Sequence, residues 1–590
     1  MICCRALGAV REYEIPGVSS MADFDLIVRG GRVYDGSGSE SFEADVAIKD
    51  GVIVAVGKVN GSAAEEIDAS GRIVTPGFVD VHTHYDGQIT WENRLSPSSD
   101  HGVTTVVMGN CGVGFAPVRD GDQPLVIKLM EGVEDIPEVV MAEGVPFNWN
   151  SFPEYLDALD QRQADVDFAT QIPHSPLRVF VMGERGVNLE PATREDLTKM
   201  RRHVTDAVKA GALGVSTSRN LFHRFRSGAL APSVTTELDE VLALAEGLRD
   251  AGCGVFQCNP NLDKDADGEM ALFRTIAQRT GCPVTFSLIA TPHRSLNWDR
   301  YVEGVRQAKA EGLTLRAQFM PRPMGVLYGL DLSFHPFSLN PSFREIAHLP
   351  LEEKVRRMRD SKLRARLLSE EPEDPNPAFV GMLKSITALY RISDPVDYNF
   401  APDDSLQAEA KRRGIAAKEL IYDALLEEDG HAILCSYSND VREYLSKTAG
   451  LINQENTIVA LGDGGAHYGM ICDASYTTYM LTGRRGRDGL DLPILIEAMT
   501  SRPARSVGLC DRGLLAVGYK ADVNIIDIDH MVLHRPRVKA DLPGGGKRLS
   551  QKSQGYVATI VSGVVTYRDG AATGALPGRL VRGQRQPRAS

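Results

Sequence analysis

At 590 residues the chain is longer than one hydrophobic core usually supports, since single cores stop growing near roughly 250–300 residues, so two structural units are expected. Its 43% hydrophobic and 24% charged content, with 56 glycines, is that of a soluble globular protein and excludes disorder on a large scale. The formal net charge of −13 is spread along the chain, which works against nucleic acid or an anionic membrane as partner and leaves a small molecule as the expected ligand.

No apolar run reaches the about 18–20 residues needed to cross a bilayer. Arg5 and Arg11 break the short apolar start MICCRALGAVR, so no signal peptide is read there. Met21 precedes the first strand-like segment, and residues 1–22 are read as an N-terminal extension. Nine scattered cysteines suit a reducing cytoplasm better than a secreted disulfide scaffold, and a cytoplasmic homo-oligomer is the expected form.

From Phe24 to Val74 short alternating strands are broken by glycine and Asp-Gly turns, as in FDLIVRGGRVYDGSG and ADVAIKDGVIVAVG. The same pattern returns in KADVNIIDID and YVATIVSGVVTYRDG, so residues 23–75 and 511–583 are expected to build one small composite β-sandwich, followed by a tail at 584–590. Between them, over 76–510, the runs VTTVVMGN, DFATQI, ALGVSTS, GVFQCN, PVTFSLIA, LTLRAQFM, HAILCSY and TIVALGDGG alternate with longer helical patterns. Such alternation predicts an α/β fold with a TIM-like (β/α)8 barrel, whose chemistry lies at the C-terminal ends of its strands. The Pro-rich turns and charged helix within about 320–430 depart from the pattern and predict an insertion that forms a lid or an interface.

PGFVDVHTHYD, from Pro76 to Asp86, ends an apolar run in His82-Thr83-His84. Side chains at i and i+2 of a strand share a face, so both imidazoles point into the mouth together, a geometry that suits one divalent metal. This segment resembles the first-strand metal motif of the amidohydrolases, and the flanking β segments resemble their composite sandwich, over Phe24 to Gly583. HGVTTVVMGNCGVGFAP resembles the GNCG segment of the N-acyl-D-amino-acid deacylases within that superfamily.

The resemblance implies that Cys111 is a metal ligand; a thiolate is a good zinc ligand, although the ordinary role of a lone cysteine is that of a small buried hydrophobe. Asp463, directly after the strand in TIVALGDGG, matches the last-strand aspartate, which the resemblance makes both a metal ligand and the catalytic base. An Asp-Gly turn is its structural alternative.

The chain also departs from those deacylases. Two of their later strands end in further histidine ligands, but Asn259 in GVFQCNP and Leu288 in VTFSLIA stand at those positions, and leucine cannot bind a metal. The lysine that helps hold a substrate carboxylate in the family is absent too. One zinc ion on His82, His84, Asp463 and Cys111 is therefore expected over two, while Gln257, Cys258 and His293 read as structural.

STSRNLFHRFRSG places Arg219, His223, Arg224 and Arg226 near the predicted mouth. Guanidinium groups grip carboxylates in a two-pronged way, so Arg219, His223 and, in MPRPMG, Arg322 are expected to bind a carboxylate-bearing substrate. A solvated loop or a salt-bridge cluster explains the first group equally well. His467 is placed to hydrogen-bond a developing oxyanion. The expected function is metal-dependent hydrolysis of a C–N bond in an N-acyl amino acid or related amide. A cyclic amidase or deaminase of the same superfamily is one alternative and a non-catalytic scaffold another, the latter disfavoured because both ends of the water-activating set are kept.

Overall fold

The computed structural model describes residues 22–261, 266–289, 298–437 and 440–588; residues 1–21 of the expected extension and His293 lie outside them. Eight parallel strand positions follow one another: Phe78–Asp80, Val103–Met108, Asp167–Thr170 continued by Ile172–Pro173, Gly214–Ser218, Val255–Asn259, Val284–Ser287, Leu315–Phe319 and Thr457–Val459. Nearly all of their residues are buried, which is why they read as unbroken apolar runs without alternation. Helices Arg194–Ala210, Leu238–Ala251, Ala266–Thr280 and Trp298–Ala310 lie between successive strands.

The expected closed ring is not completed by backbone pairing. Gln171 interrupts the third strand, and the ladder divides into an arc of three strands and an arc of six. Among the described residues no ladder joins Thr457–Val459 to Phe78–Asp80. That seam is held by apolar packing of Val79, Val81, Ile458 and Ala460 in one cluster, and by the His84 N–H donating to Gly464 O at 2.8 Å.

HAILCSY is not a strand of this parallel set, contrary to the sequence reading. Leu434–Tyr437 pairs antiparallel with Gly325–Tyr328 and with Tyr390–Arg391 in a separate three-stranded sheet. Its hydrophobic run is filled by the insertion's own core, in which Tyr328, Phe337, Leu367, Tyr422 and Leu434 are buried together. The first strand, Phe78–Asp80, supplies the eighth member instead.

The two ends of the chain meet in one nine-stranded sheet. Strand Val523–Ile526 pairs antiparallel with Ile73–Pro76, joining the C-terminal strands Tyr556–Val561 and Val564–Arg568 to the N-terminal strands Phe24–Val33, Phe42–Lys49 and Val52–Gly57. Leu26, Val28, Val46, Val523 and Ile560 form its apolar face. Among the described residues no helix is long and apolar enough to cross a membrane.

Candidate metal centre

The first strand ends at Asp80, and the chain bends at His82 on its way to His84. Thr83 turns away and hydrogen-bonds Val107 O through both its N–H (3.0 Å) and its hydroxyl (2.9 Å). His82 and His84 therefore share the other face, both buried, with ring centroids 5.6 Å apart. The second strand ends at Met108, and the chain turns through Gly109 and Asn110 to Cys111, whose Sγ lies 3.3 Å from His82 Nε2. Gly112, at φ 69°, lets this turn lie against the fourth strand; a Cβ there would fall 2.9 Å from Thr217 Cα. The loop after Thr457–Val459 brings Asp463 Oδ1 to 3.6 Å from Nε2 of both histidines. Gly465 permits that approach, since its Cβ would meet the His84 backbone at 2.8 Å.

These separations fit a metal. Bonds of about 2.0–2.3 Å around a tetrahedral zinc ion set neighbouring donors roughly 3.3–3.7 Å apart, a range that holds the three separations of 3.3, 3.6 and 3.6 Å given above. His82, His84 and Cys111 offer ligand atoms all within 4.8 Å of one another, and Asp463 Oδ1 is buried without a hydrogen-bond partner. Two imidazole nitrogens, a thiolate and a carboxylate oxygen form a donor set suited to zinc.

The electrostatics agree. Burial alone would raise the Asp463 carboxyl, yet His84, His82 and His467 hold it well below the usual carboxylate range. Burial opposes charge on His82 as well, but Cys111 and Asp463 outweigh it and lift its pKa to about 9. The Cys111 thiol, which burial would raise, is brought below its ordinary value by the same imidazoles. Negative charge that draws protons onto two imidazoles draws a divalent cation equally well.

Behind the histidines, His82 is oriented by a hydrogen bond through Nδ1, whereas His84 Nδ1 makes no hydrogen bond and lies at ion-pair distance from a carboxylate. His82 Nδ1 lies 2.6 Å from Gln318 Oε1, and His84 Nδ1 lies 3.5 Å from Glu134 Oε1. The other oxygen of Glu134 is 3.4 Å from His467 Nε2, and its carbonyl accepts the His467 N–H at 2.5 Å. Glu134 and Gln318 are the residues that sequence reasoning missed. A polar side chain inside the apolar run LRAQF was a usable signal for Gln318. Glu134 gave none, being one acid among several at the end of helix Gln123–Glu134.

The remaining expected residues divide. Gln257 and Asn259 share the site-facing side of their strand: Gln257 Oε1 accepts the Cys111 N–H at 3.1 Å, and Asn259 Nδ2 lies 3.7 Å from Cys111 Sγ and 3.4 Å from His223 Nε2. Cys258 faces the core, where burial pushes its thiol well up. Leu288 is buried in the main apolar cluster.

Arg219 is paired with the buried Glu269 at 3.3 Å, Arg224 braces its own loop through Leu221 O and Gly228 O, and Arg226 lies over Phe334 and Phe379 of the insertion. The expected arginine cluster is thus dispersed, and His223 is the member that meets the metal-site residues. Arg322 is buried against Asp473 and lies 4.2 Å over the Tyr398 ring, but its Nε and Nη1 have no acceptor.

The profile of the Amidohydrolase family matches residues 65–567. The chain belongs to the amidohydrolase family. It is accordingly a metal-dependent hydrolase of carbon–nitrogen bonds other than peptide bonds, acting on a small molecule. This amidohydrolase is 27% identical over 595 residues to an uncharacterized protein of Mycobacterium tuberculosis, with 94% of each chain covered. It is 26% identical over 571 residues to the N-acyl-D-aspartate deacylase of Alcaligenes xylosoxydans xylosoxydans, with 95% of each covered. The N-acyl-D-glutamate deacylase of Bordetella bronchiseptica, solved with zinc and a phosphonate inhibitor, has the same fold: TM-score 0.62 at 21% identity, covering 95% of this amidohydrolase and 99% of that chain.

Proposed function

We propose that the chain removes the acyl group from an N-acylated amino acid, most closely an N-acyl-D-amino acid, using one zinc ion held by His82, His84, Asp463 and Cys111. The observation that carries this reading is the convergence of these four side chains, from three separate stretches of chain, at donor separations of 3.3 and 3.6 Å. The deacylase relatives supply the substrate class. One ion is favoured because Asn259 and Leu288 leave Cys111 without the two further histidines a second ion would use. Bound there, the ion would acidify water towards a pKa of ~7 and polarise the amide carbonyl.

The protein's own groups do the rest. Asp463 takes the proton from the attacking water and returns it to the leaving nitrogen, a role suited to a carboxylate held ionised. His467, fixed by Glu134, donates to the carbonyl oxygen as charge develops on it. Arg322 offers two buried N–H groups to the substrate carboxylate, and His223, 3.4 Å from Asn259 Nδ2, is placed beside the metal-site residues.

The test is metal analysis followed by a panel of N-acyl-D- and N-acyl-L-amino acids, dipeptides and cyclic amides. About one zinc per chain and turnover of N-acyl-D-amino acids supports the reading. Turnover confined to cyclic amides, or a protein that holds no metal after zinc-supplemented expression, overturns it.

A further inference from the structure

The segment Gly578–Arg588 carries an arginine at every third position, Arg579, Arg582, Arg585 and Arg588, and no acidic residue, in a protein of net charge −13. It is strapped across the N-terminal ends of the parallel strands, opposite the metal centre. The N–H groups of Val581, Gly583, Arg585 and Arg588 donate to the carbonyls of Phe168, Gly211, Gly508 and Gly518 at 2.8–2.9 Å.

Arg582 pairs with Asp157 at 2.8 Å. The other three arginines, all exposed, line one open cleft of about 430 Å³ that the turns at Gly51 and Ser562 also border. On its floor two cations meet three carboxylates, Arg512 pairing with Asp167 (2.7 Å) and Asp511 (2.9 Å), and Lys520 with Asp167 (3.0 Å) and Asp522 (2.6 Å). Arg579 donates to the carbonyls of Leu576 and Gly578, both at 2.7 Å. Among the described residues no carboxylate lies within salt-bridge distance of Arg579, Arg585 or Arg588, and Asp50 is the one lining acid left unmatched.

Three exposed guanidinium groups without an ion-pair partner of their own repel one another across a cleft whose lining holds five cations against three carboxylates, and a cleft concentrates the excess field. A multiply charged anion relieves that repulsion. Phosphoryl oxygens match the guanidinium fork in pairs, and the volume falls within the roughly 300–1,000 Å³ of small-molecule sites. We propose that this cavity binds a small polyphosphate anion, either free or as the phosphate chain of a nucleotide, at a site separate from the metal centre. The ligand would tie the C-terminal strap to the sheet turns and the strand ends, and so raise the melting temperature.

Titration calorimetry and thermal melts of the full chain with pyrophosphate, ATP and orthophosphate, at constant ionic strength, test this. The expected result is one-to-one saturable binding of pyrophosphate or ATP, stronger than that of orthophosphate. A higher affinity for ATP identifies the nucleotide as the source, and equal affinity the phosphate chain alone. The double variant Arg585→Gln/Arg588→Gln, checked to melt like the parent without ligand, should bind at least about tenfold more weakly, whereas the exposed control Arg202→Gln should not change. Heat that does not saturate, or equal affinity in the parent and the double variant, overturns the proposal.

Discussion

Cys111, Asp463 and His467 hold left-handed backbones at φ 56°, 45° and 50°, a conformation that costs a non-glycine residue about 1–2 kcal/mol. Three such residues around one centre show that the surrounding contacts dictate where these side chains point. Asparagine tolerates the left-handed region, so Asp463→Asn should keep its backbone and, with the two histidines intact, most of the bound metal. Turnover should nevertheless fall by orders of magnitude because the proton acceptor is gone; metal analysis beside steady-state kinetics checks both halves. Glu134 acts one step further out, on His84 and His467. Glu134→Gln should weaken metal affinity about 10–100-fold in a chelator competition, as loss of a carboxylate behind a ligating histidine does, and Asp at this position should restore little because it is one methylene shorter.

Between elements, the contact that fastens the composite sheet to the parallel strands is electrostatic as well as apolar. Asp167 begins the third strand, and Arg512 and Lys520 reach it from the segment leading into Val523–Ile526. Burial alone would raise the Asp167 carboxyl, but Lys520 and Arg512 bring it down to about 2. Removing one partner leaves a buried charge undercompensated. Arg512→Met should therefore destabilise the protein by about 3 kcal/mol in urea unfolding, and adding Asp167→Asn should recover most of that loss. The strands themselves were legible in the sequence as apolar runs, with one error. HAILCSY has the composition of a parallel strand, and nothing local shows that its partner is Gly325–Tyr328; a hydrophobic run says that a strand is buried, not which core buries it.

Across the whole molecule, acid stability is set in part by imidazoles kept neutral in the interior. Burial depresses His101 to about 4 and His335 to about 3. Thr478 and Gln551 occupy both ring nitrogens of His101, at 2.8 and 3.0 Å, leaving no place for a carboxylate to stabilise a second proton. The unfolded chain takes up these protons near the ordinary value of 6.5, so the stability they contribute is complete above that pH and is lost as pH falls towards 4. Each should add up to about 1.4 kcal/mol per pH unit to the slope of unfolding free energy between pH 6.5 and 4. His101→Gln should remove one such increment, which melts across that interval would reveal.

The sequence by itself determined the class of chemistry. A strand running out into His82-Thr83-His84 predicts two imidazoles on one face, because strand geometry repeats every two residues. The matching β segments at its ends predicted a composite β-sandwich, and the structure pairs them edge to edge in one nine-stranded sheet. Only the tertiary structure decided what those histidines meet. Glu134 is brought behind His84 from 50 residues away and Gln318 behind His82 from 236, while Arg219 is claimed by Glu269. Pairings between distant segments depend on where the whole chain packs, and no local pattern of residues encodes that.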